Sequence, residues 1–183
     1  MEIDFQNDIK IHRLQSDMFD IADFRCSNPD YEKHLKHEAF KEQGASISQT
    51  WVFVLKEKNI VGYVSLAMGN VVKTRHEKLR PLPHADAPGV LLGQLATHLD
   101  YEKHGIGRYM LLWVFLEAIK QSNHIGCRIV YLNPEDNTVG WYTRIGFAHI
   151  KLKHKQDIMF YDINRYKKEI NAWAEASSAH TRG

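Results

Sequence analysis

Cysteine is scarce in this chain of 183 residues: Cys26 and Cys127 lie far apart and form no CxxC spacing. Two such thiols cannot frame a disulfide scaffold, so reduced, buried cysteines of a cytosolic protein are expected. Long apolar runs are missing too. The longest, Tyr109–Leu116, is far short of the ~20 residues a membrane-crossing helix needs. The opening MEIDFQNDIK is charged and lacks the apolar core of a signal peptide, so a cytoplasmic location and no membrane partner are expected. Neither charge sign dominates: 24 Lys and Arg face 22 Asp and Glu, for a formal net charge of +2. That balance neither requires nor excludes a nucleic-acid partner, and local patches must decide. The 11 histidines form no HExxH motif and no Cys/His cluster. His34 and His37 on one predicted helix are weak ligand candidates, and no metal is expected. Internal repeats and low-complexity tracts are absent as well.

What is present reads as one α/β domain over residues 1–176, with 177–183 a frayed tail. Hydrophobic residues make up 44%, enough for a real core. A first strand is predicted near Ile9–Leu14. The cluster Ser27-Asn28-Pro29-Asp30 then opens a helix to about Gln43, with Tyr31, Leu35, Ala39 and Phe40 on its apolar face and Gly44 as its stop. Trp51–Lys56 and Ile60–Met68 read as a hairpin around Glu57-Lys58-Asn59. Residues 69–89 read as a loop, with Pro81, Pro83 and Pro88 and the basic residues Lys73, Arg75, Lys78 and Arg80. Past the central segment, residues 126–132 read as a strand. Asn133-Pro134-Glu135-Asp136 opens a short helix to Ile145, closed by Gly146. A final hairpin, Phe147–Leu152 with Asp157–Ile163, turns around the basic Lys153-His154-Lys155-Gln156, and a helix over Arg165–Glu175 follows.

The central segment is Val90–Ser122. A β-like run to Leu99, a polar turn with Gly105 and Gly107, and a predicted helix from Arg108 to Ser122, apolar almost all round, follow one another. Strand, glycine turn and helix is the arrangement that aims several backbone N–H groups at a bound anion, usually a phosphate. A strand, a helix and a further strand also suggest a parallel crossover in a mixed sheet. The turn matches neither GxGxxG nor the nucleotide-hydrolysing GxxxxGK[ST] loop.

LGQLATHLDYEKHGIGRYML at 92–111 and WYTRIGF at 141–147 together resemble the GNAT family of acyl-CoA-dependent N-acyltransferases, and the likeness spans roughly Ile9 to Ile163. The family's turn is Q/R-x-x-G-x-G/A. Here Glu102 stands where Gln or Arg is usual, and His104 where Arg is common. The resemblance implies a mixed, mostly antiparallel sheet flanked by helices, with a splayed parallel pair, and acetyl-CoA as acyl donor. It places the coenzyme's pantetheine arm along the main chain of Leu95, Ala96 and Thr97. Its pyrophosphate would rest on the amides of Lys103, His104, Gly105, Ile106, Gly107 and Arg108, helped by the helix dipole. Asn133 either reaches the arm or caps the short helix. Tyr142 matches the family's general acid, a phenol able to protonate the departing thiolate. His98, Asp100 and Glu102 lie near in sequence, but none is assigned as a base.

Phe24-Arg25-Cys26 before the first helix, the SQTWVFVL and IVGYVSLA strands and the basic proline loop narrow the resemblance to GNAT toxins that acetylate aminoacyl-tRNA. That subgroup implies the amino group of a charged tRNA as acceptor and a ribbon-helix-helix antitoxin as partner; a homodimer is a further expectation. Two alternatives remain open: an acetyltransferase acting on a small-molecule or protein amine, and an inactive coenzyme A-binding module that senses or recruits.

Overall fold

The structure, a computed structural model, describes residues 4–15, 21–56, 59–72, 76–83, 86–152 and 156–168. Its elements follow in order α1 (Phe5–Asp8), β1 (Ile9–Arg13), α2 (Pro29–Lys33), α3 (Ala39–Gly44), β2 (Gln49–Leu55), β3 (Asn59–Val72) and β4 (Asp86–Thr97). Then come α4 (Ile106–Ser122), β5 (Ile129–Leu132), α5 (Val139–Ile145), β6 (Ala148–Ile150) and β7 (Ile158–Asp162). The strands form one mixed sheet in the order β1-β2-β3-β4-β5-β7-β6, with β4 and β5 parallel and the other neighbours antiparallel. The α/β class with a central mixed sheet stands as expected. The hairpin pairing of β2 with β3 and of β6 with β7 stands as well, although residues 57–58 and 153–155 of their turns lie outside the described residues.

The chain divides into two compact units. One holds the described residues up to Met68 together with Leu91–Val114. The other holds Gly69–Val90 and the described residues from Phe115 onward. In the first unit both faces of the sheet are covered. Val52 and Val54 on β2 pack with Leu14, Phe24, Leu35, Ala39 and Tyr63. The alternate residues Trp51 and Phe53 meet Trp113 of α4 at ring-centre distances of 5.2 and 5.6 Å. Cover on both faces explains why β2 reads as a continuous apolar run instead of an alternating one. In the second unit one face holds Val71, Leu79, Ala87, Ile129, Ile150 and Phe160. On the other face Phe115 of α4 stacks on Tyr161 at 4.6 Å, with Phe147 beside them. Cys26 and Cys127 are free and buried, as expected.

The first long helix starts as its sequence dictates. Asn28 accepts the Asp30 N–H at 2.8 Å, and Pro29 follows at the first helical position, where its missing N–H costs nothing. Between α2 and α3 the chain makes a π-helical turn, His34–Glu38, which no periodicity announced. The turn belongs to a buried polar arrangement: His34 Nε2–H donates to the Glu42 carboxylate at 3.3 Å, and its Nδ1 lies 3.4 Å from the Tyr63 hydroxyl. That hydroxyl donates to the Tyr31 carbonyl at 2.8 Å. His34 is thereby committed to protein partners.

Several boundaries differ from the sequence-based expectation. Residues 69–72 continue β3 and 86–89 begin β4, so the expected loop is a good deal shorter. Its prolines still cluster where the strands end, while Pro88 donates nothing and its carbonyl accepts the Arg128 N–H at 2.7 Å. Phe40 is 49% exposed and does not join the apolar face. Leu112 and Leu116 leave one side of α4 exposed, so that helix is not buried all round. The short helix begins at Val139 and not at Pro134, because residues 136–138 form a turn and Thr138 is its N-cap. The C-terminal helix is described only over 163–168, and the expected tail lies outside the described residues. Among the described residues no helix is long and apolar enough to cross a membrane.

Candidate active site

The predicted cradle belongs to the first unit and is built by one strand, one turn and one helix. β4 runs to Thr97, and His98 N–H then bonds the Val61 carbonyl at 2.9 Å, extending the strand's pairing with β3. A single 3-10 turn, Leu99–Tyr101, follows. His98 caps it by accepting the Asp100 N–H through Nδ1 at 3.2 Å. His98 is also packed edge-on against Phe24 and Tyr101, while Asp100 is exposed. His98 thus serves as a cap and a packed ring.

The turn itself is shaped by two left-handed residues. Lys103 has φ +63° and Gly105 φ +84°. Glu102, which sat badly with the family pattern, is used here through its backbone. Its N–H reaches the Leu99 carbonyl at 3.3 Å, and its carbonyl accepts His104 Nδ1–H at 2.8 Å. The helical ladder of α4 begins with Tyr109 N–H to the Gly105 carbonyl at 3.0 Å. The N–H groups of Ile106, Gly107 and Arg108 therefore precede the ladder, at the positive end of a helix of 17 residues. Alternating left-handed geometry followed by an open helix start forms a concave set of donors suited to an anion. Lys103, His104, Gly105 and Arg108 are exposed, Gly107 is half-buried, and Ile106 anchors the turn in the core. Leu95 and Thr97 are half-buried on β4, with Ala96 buried between them. A cleft of about 680 Å³ adjoins the 3-10 turn, lined by Phe24, Arg25, Ile60, His98 and Tyr101 among others.

Tyr142 and Asn133 belong to the second unit. Tyr142 lies in α5, 8% exposed, with its ring edge-on to Trp141 at 4.8 Å and to Phe147 at 5.2 Å. Its carbonyl is held by the helix stop: both Gly146 N–H, at 3.2 Å, and Phe147 N–H, at 3.1 Å, bond to it. Gly146 takes φ +112°, and a side chain there would press on the Arg165 guanidinium at 3.2 Å. The glycine-phenylalanine signature beside Tyr142 is thus the device that ends α5 and fixes the tyrosine's backbone. Asn133, just beyond β5, donates through Nδ2 to the Asp157 carbonyl at 3.0 Å. It ties β5 to the start of β7, and it is not the cap of α5.

That carbonyl introduces a pair sequence reading missed. Asp157 Oδ2 accepts from His149 Nε2–H at 2.7 Å, and its Oδ1 accepts the Leu152 N–H at 2.9 Å. These hydrogen bonds, the Leu152 N–H foremost, hold the Asp157 carboxyl below its usual range. Only the antiparallel register of β6 with β7 brings the two together, so spacing alone gave no signal. Of the residues in and beside the two basic turns, Lys78, Arg80 and Lys151 are exposed. Lys73, Arg75, Lys153 and Lys155 lie outside the described residues.

A sequence profile described as the acetyltransferase (GNAT) family matches residues 11–147. Among solved structures, AtaT complexed with acetyl-methionyl-tRNAfMet is 15% identical, with a TM-score of 0.80 over 89% of this chain and 99% of that one. A tyrosine-to-phenylalanine mutant of KacT is 18% identical, with a TM-score of 0.80 over 88% of this chain and 99% of that one. Another tyrosine-to-phenylalanine mutant, of the AtaT toxin bound to the C-terminus of the antitoxin AtaR and acetyl-CoA, is 16% identical. Its TM-score is 0.72 over 87% of this chain and 96% of that one.

Proposed function

The chain belongs to the acetyltransferase (GNAT) family, and from that premise we propose that it transfers an acetyl group from acetyl-CoA to the amino group of aminoacyl-tRNA. The observation that carries the donor half is the turn from Lys103 to Arg108, with its two left-handed residues and the N–H groups ahead of the α4 ladder. A pyrophosphate there meets main-chain donors and the helix dipole, so Glu102 and His104 in place of the usual side chains do little harm. Acetyl-CoA supplies the thioester. The pantetheine arm is assigned to the main chain of Leu95, Ala96 and Thr97, and Asn133 remains a candidate contact beyond β5. Tyr142 is assigned as the general acid, donating its phenolic proton to the sulfur as the carbon–sulfur bond breaks.

The acceptor half rests on the fold's likeness, along most of both chains, to AtaT seen with acetyl-methionyl-tRNAfMet. The exposed Lys78, Arg80 and Lys151 are compatible with RNA phosphates. An antitoxin partner is proposed on the same footing, since the AtaT neighbour is bound to a segment of AtaR. The test is transfer of radiolabelled acetyl from acetyl-CoA to charged tRNA, deacylated tRNA, polyamines and peptides. Label is expected only on charged tRNA, and it should leave with the amino acid on mild base hydrolysis. Label on polyamines or peptides alone would replace the acceptor. Saturable coenzyme binding without transfer to any member of the panel would point to a silent module.

A further inference from the structure

Coenzyme A is long, and the two subsites assigned to it must lie at the distance its own length sets. Both belong to the first unit, and β3 of that unit carries an irregularity beside them. Phe53 of β2 pairs with Gly62, but Val54 pairs with Ile60, so Val61 is an extra residue, a β-bulge. The Val61 carbonyl accepts the His98 N–H at 2.9 Å. Residues paired across strands point to one face, so Gly62 shares the face of Phe53, whose ring meets Tyr109 and Trp113 of α4. A side chain on Gly62 would therefore enter the layer between the sheet and α4. That space is already filled. From the point where a Cβ would stand, Met110 Sδ lies at 2.6 Å, its Cε at 2.8 Å and the Ala96 carbonyl oxygen at 2.8 Å.

We propose that Gly62 is a positioning residue for the coenzyme, the point at which the arm strand and the cradle helix are set against each other; this rests on the donor half of the reading above. Met110 lies four residues after Ile106, so the two share one side of α4, and both are fully buried. It thereby belongs to the anchored side of the cradle. Ala96 is the middle residue of the three assigned to the arm. His98 bonds to β3 through its N–H, so Ala96, two residues earlier, turns its own N–H and carbonyl toward β3. Leu95 and Thr97 turn theirs the other way, and they are the pair left to meet the arm's amides. Met110 and Ala96 converge on one point, and a glycine there leaves them room. An alanine could push aside the end of the flexible Met110 side chain. It could not displace the Ala96 carbonyl without moving β4.

Overfilling that point changes the spacing between the subsites. The turn's own shape is set by Lys103, Gly105 and Phe5, none of which supplies the atoms nearest Gly62. A ligand held at two places gains affinity from joint engagement, and it loses that gain when the places no longer match its length. Displacing Ala96 therefore weakens the whole coenzyme while sparing its phosphate end. Met110 is the other half of the spacer: shortening it empties the contact that an alanine in place of Gly62 overfills.

The experiment titrates acetyl-CoA and 3′-phospho-ADP, the coenzyme without its arm, into wild type, Gly62→Ala and Met110→Ala by calorimetry. In Gly62→Ala the acetyl-CoA Kd should rise about tenfold or more, while that of 3′-phospho-ADP stays within about twofold. Met110→Ala should show the same split, and it carries the test if Gly62→Ala fails to fold. Val64→Ala is the control: Val64, buried two residues along β3, should lower the melting temperature with no split between the ligands. Unchanged acetyl-CoA affinity in the folded variant would overturn the assignment. An equal loss for both ligands would do the same, since it makes the glycine a requirement of the fold alone, and so would a split in Val64→Ala. A wild type that does not bind both ligands fails the donor reading itself, and the proposal falls with it. Wild-type binding of both that ignores the substitution fails the proposal only.

Discussion

Phe5 of α1 and Tyr109 of α4 stack with ring centres 5.2 Å apart and planes at 15°. The same Phe5 ring lies against Gly105, where a side chain would meet it at 3.4 Å. Tyr109 N–H bonds to the Gly105 carbonyl, so one stacked pair backs the turn proposed to hold phosphate. Burial also raises the Tyr109 phenol above its ordinary range and keeps it neutral. An aromatic pair of this kind is worth ~0.5–1.5 kcal/mol beyond its buried area.

Phe5→Ala should therefore loosen the cradle without touching chemistry. The expected result is a several-fold higher KM and Kd for acetyl-CoA with kcat unchanged, measured by calorimetry and steady-state kinetics. Unchanged affinity would mean that the turn holds its shape without α1.

Lys103 and Gly105 occupy the same backbone region with opposite consequences for substitution. Gly105 at φ +84° takes it freely, whereas an alanine there is strained by the backbone shape, its side chain merely touching Phe5. Gly105→Ala should cost ~1–2 kcal/mol, mostly as lost coenzyme affinity. Lys103 at φ +63° already carries that strain, so Lys103→Gly should leave the melting temperature equal or higher. A marked fall in stability for Lys103→Gly would show that the lysine side chain, and not the backbone shape, matters there.

These turn residues were legible because glycine spacing reports backbone shape directly. The Gly146 stop was legible for the same reason, and the first hairpin because two β-rich runs flank the short polar stretch Glu57-Lys58-Asn59. The π turn at His34–Glu38 was not: Tyr63 and Glu42, remote in sequence, engage the two nitrogens of His34 across that turn. Burial drives the Tyr63 phenol well above its ordinary range, so it stays a donor to the Tyr31 carbonyl. Residues 69–72 read as loop because Gly69 and Asn70 are poor strand formers, yet pairing in the sheet overrides that preference. Leu112 and Leu116 read as core because composition cannot say which side of an apolar helix is covered. His149 and Asp157, eight residues apart, meet only once β6 and β7 pair.

Asp157 gives a pH signature of stability. Its carboxyl titrates below 3.8, chiefly because the Leu152 N–H and then His149 bond to the ionised form. The unfolded chain binds that proton more readily than the folded one, so the contribution is full above pH 3.8 and is lost as pH falls through the lower folded value. Melting temperature should drop on acidification below about pH 4, and Asp157→Asn should flatten that part of the curve. An equal acid slope in Asp157→Asn would assign the loss to other carboxylates.

Tyr142 offers the sharpest separation of binding from chemistry. Its ring packs between Trp141 and Phe147, and its backbone is fixed by the Gly146 stop. Phenylalanine fills the same space, so Tyr142→Phe should keep the fold and the coenzyme Kd. What it removes is one proton donor, and general acid catalysis is commonly worth ~10²-fold or more. A fall in kcat of at least tenfold is expected, larger for acyl donors whose thiol is a poor leaving group. Thioesters of more acidic thiols need less protonation, so the deficit should shrink when the leaving thiol's pKa is lowered. If Tyr142→Phe turns over at the wild-type rate, Tyr142 is a packing residue. If the rate falls but the deficit ignores the leaving group, the tyrosine positions the thioester without protonating it.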